Sequence, residues 1–507
     1  MVTLDDVEYC ERFLEFLIDL VSQLPTRRYV NSLLNDLNLL ALIKSSALLQ
    51  GSDGYLLRDL HVLLRHYIQF SINDHTGGQY SQEDFRNLHC KELARLQRLV
   101  LNKYKDKLML LALSNYSSIE QRDELVGHLQ ALDDQELIAL CSQLGFRTTY
   151  PTISGIQPTR ELHLDIIASA YEKRQTFQDI ITHMTVLPTE VSLYEESLLR
   201  NEKYDGLRPL AIPRLNLQYM SVGDFLWRTF VLYRCEAFFE IRTFLEDIAR
   251  RLQPDRDPSS KETKLKGFSK MALPIDKVAI LETAPPRVGH SLPDYVRAEV
   301  TLHVHRLADQ VRRDWDSLHV GDAIFLVSVK AAEDHRHLMN GHTQESRQRD
   351  SGIAIVRVAE VVHVLDENDR VIRDAAVDQV NGAGPRPRVR RLIVNLDREA
   401  FQRDMLQKER YGKDIYESIN VVVRRHKREN NFKKVLETVQ NLALADTAIP
   451  EWFRDVFLGF GDPSSASYSR LASRLPNIDF QDTFMDWEHL IQSFPGRVRY
   501  LPLGIIE

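Results

Sequence analysis

Hydrophobic positions in the first half of the chain recur at helical spacing. In "VEYCERFLEFLIDLVSQL" the residues Phe13, Leu14, Leu17, Ile18 and Val21 fall three or four apart, which marks one face of an amphipathic helix. Pro25 is expected to end it, and "RYVNSLLNDLNLLALIKSSALL" repeats the pattern at once. Further helices are expected near 55–70, 82–104 and 119–145. Ser118, with Gln121 three residues on, suits a helix start, and Gly145 suits a helix end. Helix after helix with short polar breaks implies a solenoid of stacked hairpins. No clean repeat period is visible, so a degenerate armadillo- or HEAT-like stack is the expectation. One longer helix is expected from Val222 to about Leu252. Its apolar residues cover more than one stripe, so it is expected to be buried on two sides and to act as a stalk. Trp227, Tyr233, Phe238 and Phe239 on it are read as core.

The texture changes at "QPDRDPSSKETKLKG" (253–267), a polar stretch with two prolines that marks a boundary. After it, "DKVAILET" (276–283), "YVRAEVTLHVH" (295–305), "DAIFLVSV" (322–329), "IAIVRVAEVVHVL" (353–365) and "RRLIVNLD" (390–397) are β-branched and bounded by turns. In the second run Val296, Ala298, Val300, Leu302 and Val304 are expected on one face, and Arg297, Glu299, Thr301 and His303 on the other. "DENDR" (366–370) reads as a hairpin loop. A sheet of this length with one wet face is most simply a small β-barrel. The polar stretches 331–352 and 378–390 read as long loops. Helix is expected again at 398–410, a strand at 415–425, a helix at 430–445, and a last helix or edge segment at 480–495. The fold class is therefore α+β multidomain, divided into a helical solenoid (1–195), a stalk (196–262), a β-barrel with long polar loops (263–397) and a mixed α/β segment (398–507).

Composition narrows the function classes. The chain has 507 residues, 43% hydrophobic and 27% charged, with a net charge of −7. Nothing in that forces disorder, and no global field attracts nucleic acid, so any such contact must be local. No apolar run is long enough to span a membrane, and the first residues are acidic where a signal peptide needs bases. Cys10, Cys90, Cys141 and Cys235 lie far apart, which suits a reducing compartment; the sequon at Asn115 is then expected to be unused.

Candidate chemistry is sparse. "LGFGDPSS" around Gly459 and Gly461 lacks the spacing and the lysine of a phosphate loop, and Asp462 sets a carboxylate where phosphate would sit. Gly412-Lys413 has no partner glycine, and no dinucleotide fingerprint occurs. No catalytic motif is present, so whether the chain is an enzyme is left open, and no cofactor is expected in it. Asp334, His335, His337 and His342 could hold a metal only in a rigid loop; a solvated loop is the simpler reading. His303 and His305 read as surface residues. The dense basic clusters are Arg386, Arg388, Arg390 and Arg391 in "GPRPRVRR" and Arg424, Arg425, Lys427 and Arg428 in "RRHKRE". Either could follow a phosphate backbone, and a solvated charged face is the competing reading. "KETKLKGFSK", with Phe268 among four lysines, is a weaker candidate for stacking plus charge.

Long unusual words along the chain resemble the Aquarius family of intron-binding spliceosomal helicases. They include "EYCERFLEFLIDLVSQLPTRRYVNSLL" (8–34), "LALSNYSSIEQRDELV" (111–126), "LAIPRLNLQYMSVGDFLWRTFVLYRCEAFFEIRTFLED" (210–247), "VRAEVTLHV" (296–304), "ENNFKKVLETVQNL" (429–442), "IPEWFRDVFLGFGDPSSASYSRL" (449–471) and "FQDTFMDWEHLIQSFPG" (480–496). The words occur in the family's order over nearly the whole chain; the loops at 253–265, 331–352 and 378–390 match poorly. The resemblance implies an armadillo-like solenoid, a stalk, a β-barrel and the lead-in to a RecA-like motor. It also implies that the ATP- and Mg-binding motifs lie in motor domains beyond Glu507, so that the chain corresponds to a fragment of an ATP-dependent RNA helicase. The implied partners are spliceosomal proteins and intron pre-mRNA, in the nucleus and without a membrane. Two other readings stand beside it: a motor-less spliceosomal scaffold that binds no RNA itself, and a metallo-hydrolase on the histidine loop.

Overall fold

The computed structural model describes residues 4–445, apart from 51–53, 75–77, 202–203, 205, 216–217, 257–262, 290, 306, 332–351, 372–387 and 427–430. Two compact units divide the chain. Of the described residues, the first holds those in 4–184, 200–232 and 439–445; the second holds those in 185–199 and 233–438.

The first unit is helical. Its order is α1 (Leu4–Val21), α2 (Leu24–Asp36), α3 (Leu39–Ser45), α4 (Ala47–Gln50), α5 (Tyr55–Ile68), α6 (Gln82–Lys103), α7 (Lys105–Leu113), α8 (Tyr116–Ile119), α9 (Arg122–Leu129), α10 (Asp134–Leu144), α11 (Arg160–Tyr171) and α12 (Phe177–His183). Leu14, Leu17, Ile18 and Val21 of α1 are buried, and α1 packs on α5. Phe13, expected on that face, is 43% exposed and stacks on Tyr9 instead. Pro25 lies in the first turn of α2, where its missing N–H costs nothing. The main core joins α6, α7, α9, α10 and α11 through Leu93, Leu96, Leu111, Leu125, Leu137, Leu140 and Ile167, all fully buried. Helix ends follow local chemistry. Gly145 closes α10 at φ +90°, in the left-handed region that glycine adopts without penalty. Asp133 opens α10 with a reciprocal capping box to Glu136. The expected cap at Ser118 moves to Asn115, whose side chain accepts from Ser118 N and starts the one-turn α8; Ser118 itself lies inside that turn.

After two short helices, α13 (Glu190–Leu193) and α14 (Glu196–Asn201), the long helix α15 runs Val222–Leu252, the expected span. Its first part, to Leu232, belongs to the helical unit. There Asp224 and Arg228, both 0% exposed, form a two-bond ion pair at 2.6 and 2.9 Å. Arg228 also donates to Ser22 O and Arg214 O. Every charge is thus matched, which a buried pair requires. His66 stacks on Trp227 at 3.7 Å, and burial, helped by Arg228 and Arg27, pushes its pKa down to about 3.

The second unit is built on β strands. A hairpin, β1 (Pro254–Arg256) with β2 (Thr263–Leu265), precedes a seven-stranded sheet. The sheet's strands are β3 (Ala272–Pro274), β4 (Val278–Thr283), β5 (Val296–His303), β6 (Ala323–Val329), β7 (Ile353–Leu365), β8 (Val389–Leu396) and β9 (Val421–Arg424). Their order is β3-β9-β6-β7-β8-β5-β4, antiparallel throughout. The two edge strands, β3 and β4, are joined by only three residues, Ile275, Asp276 and Lys277. That short link forces the sheet to curl round on itself as a barrel. Register shifts at Ile280/Glu282, Ser328/Val329 and Val361/His363 supply the bends. β5 shows the expected alternation: Val296, Ala298, Val300, Leu302 and Val304 are at most 1% exposed, and Arg297, Glu299, Thr301 and His303 face the wetter side. Trp315 of α16 (Asp309–Asp316), Phe401 of α17 (Arg398–Tyr411) and Tyr416 complete the core. The strand expected at 415–425 is shorter, because Tyr416–Ser418 forms a one-turn helix that carries Tyr416 into that core. The hairpin loop at 366–370 closes through Asp366 N to Arg370 O, with Asp369 at φ +61°. α18 (Phe432–Leu444) ends the described chain. Of the aromatic residues expected as core on α15, Trp227 and Phe238 are buried; Tyr233 is only partly buried and Phe239 is 48% exposed, with Arg242 lying over its ring.

Candidate nucleic-acid interface

Two basic regions of the barrel unit differ in where they point. In the β8 cluster, Arg386 lies outside the described residues. Arg388 is exposed, and its backbone N–H donates to Glu367. Arg390 occupies an inward register on β8 beside Leu392 and Val394 and is 9% exposed. Arg391 grips Glu299 of β5 with two bonds of 2.6 Å and also pairs with Asp369. The Glu299 bonds hold the Arg391 pKa above its usual value, and the same bonds hold the Glu299 carboxyl below its own.

In the β9 cluster, Lys427 and Arg428 lie outside the described residues. Arg424 and Arg425 are each 6% exposed. Arg424 donates to Ser317 Oγ at 3.2 Å and lies over the Trp315 ring. Burial pulls its pKa down, against Asp314 and Asp322. Arg425 pairs with Glu240 at 3.3 Å and lies over the Phe244 ring of α15. A guanidinium so covered offers little to a phosphate arriving from solvent.

A buried arginine of the barrel unit was not singled out from the sequence. Arg357 on β7 makes a two-bond pair with Asp404 of α17, at 2.7 and 2.6 Å, and a further bond to Glu190. Burial alone would lower its pKa; the two carboxylates outweigh that and raise it. Glu190 also accepts from Val356 N, so the short helix α13 (Glu190–Leu193) is tied to β7. The available signal was a charge in the middle of the apolar run "IAIVRVAEVV", since an arginine there must be paired.

The stretch 264–270 behaves in the opposite way. Lys264, Lys266, Phe268 and Lys270 are exposed; Leu265 and Gly267 are half-buried and Ser269 is buried. Phe268 is 62% exposed. Lys266 pairs with Asp255 on the neighbouring strand, both at the surface. The backbone is pinned along its length: Lys266 N and Gly267 N donate to Gln253 O and Leu252 O at the end of α15, and the Trp315 indole donates to Lys270 O at 2.9 Å. Gly267 is obligatory, because a Cβ there would sit 1.9 Å from Arg251 O. The close approach to α15 sets which side chains face outward.

Other candidates fall elsewhere. The glycine stretch 459–462 and the histidines His335, His337 and His342 lie outside the described residues. Among the described residues no group of three His, Cys, Asp or Glu is placed to hold a metal. His303 faces Asp276 at 3.3 Å at the surface. The four cysteines are free. No described helix is long and apolar enough to cross a membrane.

A helical unit and an antiparallel barrel, with an exposed basic–aromatic strip at 264–270, define an α+β multidomain protein. The chain belongs, over this region, to the Aquarius family: the family's N-terminal model matches residues 2–175, its β-barrel model 253–425 and its insert-domain model 473–500. Those models are described as parts of intron-binding protein aquarius. The RNA helicase aquarius of Mus musculus is 36% identical over 505 residues, covering 98% of this chain and 33% of the relative. Pre-mRNA-splicing factor cwf11 of Schizosaccharomyces pombe is 20% identical over 466 residues, covering 89% of this chain and 33% of the relative. The chain therefore spans about a third of the length of the curated relatives it matches. The barrel model encloses 264–270 and every described residue of both arginine clusters.

Proposed function

We propose that this chain serves in the spliceosome, in the nucleus, as a region that contacts intron RNA through its barrel and docks on spliceosomal proteins through its helical unit. The observation that carries this reading is the ordered match of both units to a family described as intron-binding, together with a relative named as a splicing factor. The residues at 264–270 support a sequence-tolerant grip through cations and an exposed aromatic ring. ATP and Mg are assigned to motor domains of the parent helicase, and no step of ATP chemistry is assigned to residues of this chain.

The test is binding of the purified chain to a labelled single-stranded intron RNA across a salt series. The reading predicts measurable affinity at about 50 mM salt, falling log-linearly as salt rises. No binding at low salt, with splicing proteins still co-purifying, would leave the scaffold reading in its place. One observation favours that second reading in part: Arg391, Arg424 and Arg425 are engaged by internal partners.

A further inference from the structure

We propose that Lys264, Lys266, Phe268 and Lys270 form a binding site for single-stranded RNA, with Phe268 stacking on an unpaired base and the three lysines holding the flanking phosphates. This rests on the RNA reading above and adds the strand state and the residues.

Burial is the first ground. Four alternate side chains of one short stretch face water, three of them cationic, and "TKLKGFSK" (263–270) contains no acid. An aromatic ring left 62% exposed among cations does nothing for the core, and it presents a flat apolar face beside positive charge. A single-stranded nucleic acid offers the complement, unpaired base faces spaced along a phosphate chain. A duplex keeps its base faces stacked on each other and has none to give.

Preorganisation is the second ground. The strip is held at Lys266, Gly267 and Lys270 by backbone bonds to the end of α15 and to the Trp315 indole. Only glycine fits at 267. The outward face therefore exists before any ligand arrives, which lowers the ordering cost of binding. An acidic protein segment could satisfy the lysines but has no use for the exposed ring, so the ring separates the two occupants.

The experiment uses the whole chain with a fluorescein-labelled oligouridine of about 15 nucleotides, the same strand in a duplex, and poly-glutamate as competitor. The expected results are three. Phe268→Ala weakens oligouridine binding about fivefold or more, with the salt slope unchanged, and Phe268→Trp restores it. The triple change Lys264→Ala, Lys266→Ala, Lys270→Ala lowers the salt slope by about 2. The duplex binds more weakly than the single strand. All four side chains are exposed, so thermal melting should match the parent and confirm that the fold is intact. If the parent binds oligouridine but Phe268→Ala and the triple variant bind equally well, the site is elsewhere and the RNA reading survives. If the parent binds no oligouridine, the RNA reading fails as well. If poly-glutamate binds with the same dependence on Phe268, the surface docks acidic protein and the proposal is overturned.

Discussion

The arginine-rich ends of β8 and β9 and the lysine–phenylalanine strip at 264–270 are both basic, and both belong to the barrel unit. They differ in what their charges already have. Arg391 has Glu299 and Asp369; Arg425 has Glu240; Arg424 is sunk against Trp315. The strip's side chains face water, and Lys266 pairs with Asp255 at the surface. Planar, forked arginine suits two-bond pairing and stacking on rings, whereas lysine keeps a strongly hydrated point charge at the surface. Density of positive charge in sequence is therefore a poor guide to an anion-binding surface; accessibility and pairing decide.

The comparison can be broken or sharpened by variants of graded effect. The largest is at the Arg357–Asp404 pair, whose side chains are 7% and 3% exposed. Asp404→Ala leaves a buried guanidinium short of its main partner and is expected to cost about 3–5 kcal/mol, read by urea unfolding. A loss below about 1 kcal/mol would mean that water reaches the site and the pair is not truly internal.

Next is acid sensitivity of the helical unit. His66 is neutral in the fold, with its pKa pushed down to about 3, but in the unfolded chain it takes up a proton near pH 6.5. Stability from this group is fully present above about 6.5 and falls by about 1.4 kcal/mol per pH unit as pH drops towards 3. His66→Gln should flatten that part of the stability–pH curve, followed by the fluorescence of the helical unit. An unchanged curve would show that the imidazole is not desolvated against Trp227.

The smallest effect sits on the strip itself. Asp255→Asn removes the partner of Lys266 at a surface where both side chains are at least half exposed. Stability should change by less than about 1 kcal/mol, while oligouridine affinity should rise modestly because one carboxylate no longer competes with phosphate. A large stability loss would place the strip among the structural charges and erase the contrast.

Much of this was legible in the sequence, and the gaps have physical causes. Strand alternation on β5 and the span of α15 followed from side-chain period, because burial on one face is a local property. The caps at Asn115 and the exposure of Phe13 did not, since each depends on which neighbouring turn or helix wins the contact. The arginine clusters were visible as charge runs, but Glu299, Glu240 and Asp404 lie 92, 185 and 47 residues from their partners. No local pattern shows that such charges are already matched. The strip was visible as lysines around an aromatic; its coherence as one face came only from the close approach that Gly267 permits to the end of α15.

The most direct single test measures melting temperature and oligouridine affinity together for two variants, Arg391→Gln and Phe268→Ala. The account predicts that Arg391→Gln lowers the melting temperature and leaves the affinity near that of the parent, while Phe268→Ala keeps the melting temperature and weakens binding about fivefold or more. The reverse pattern, with affinity lost at Arg391 and unchanged at Phe268, would contradict it.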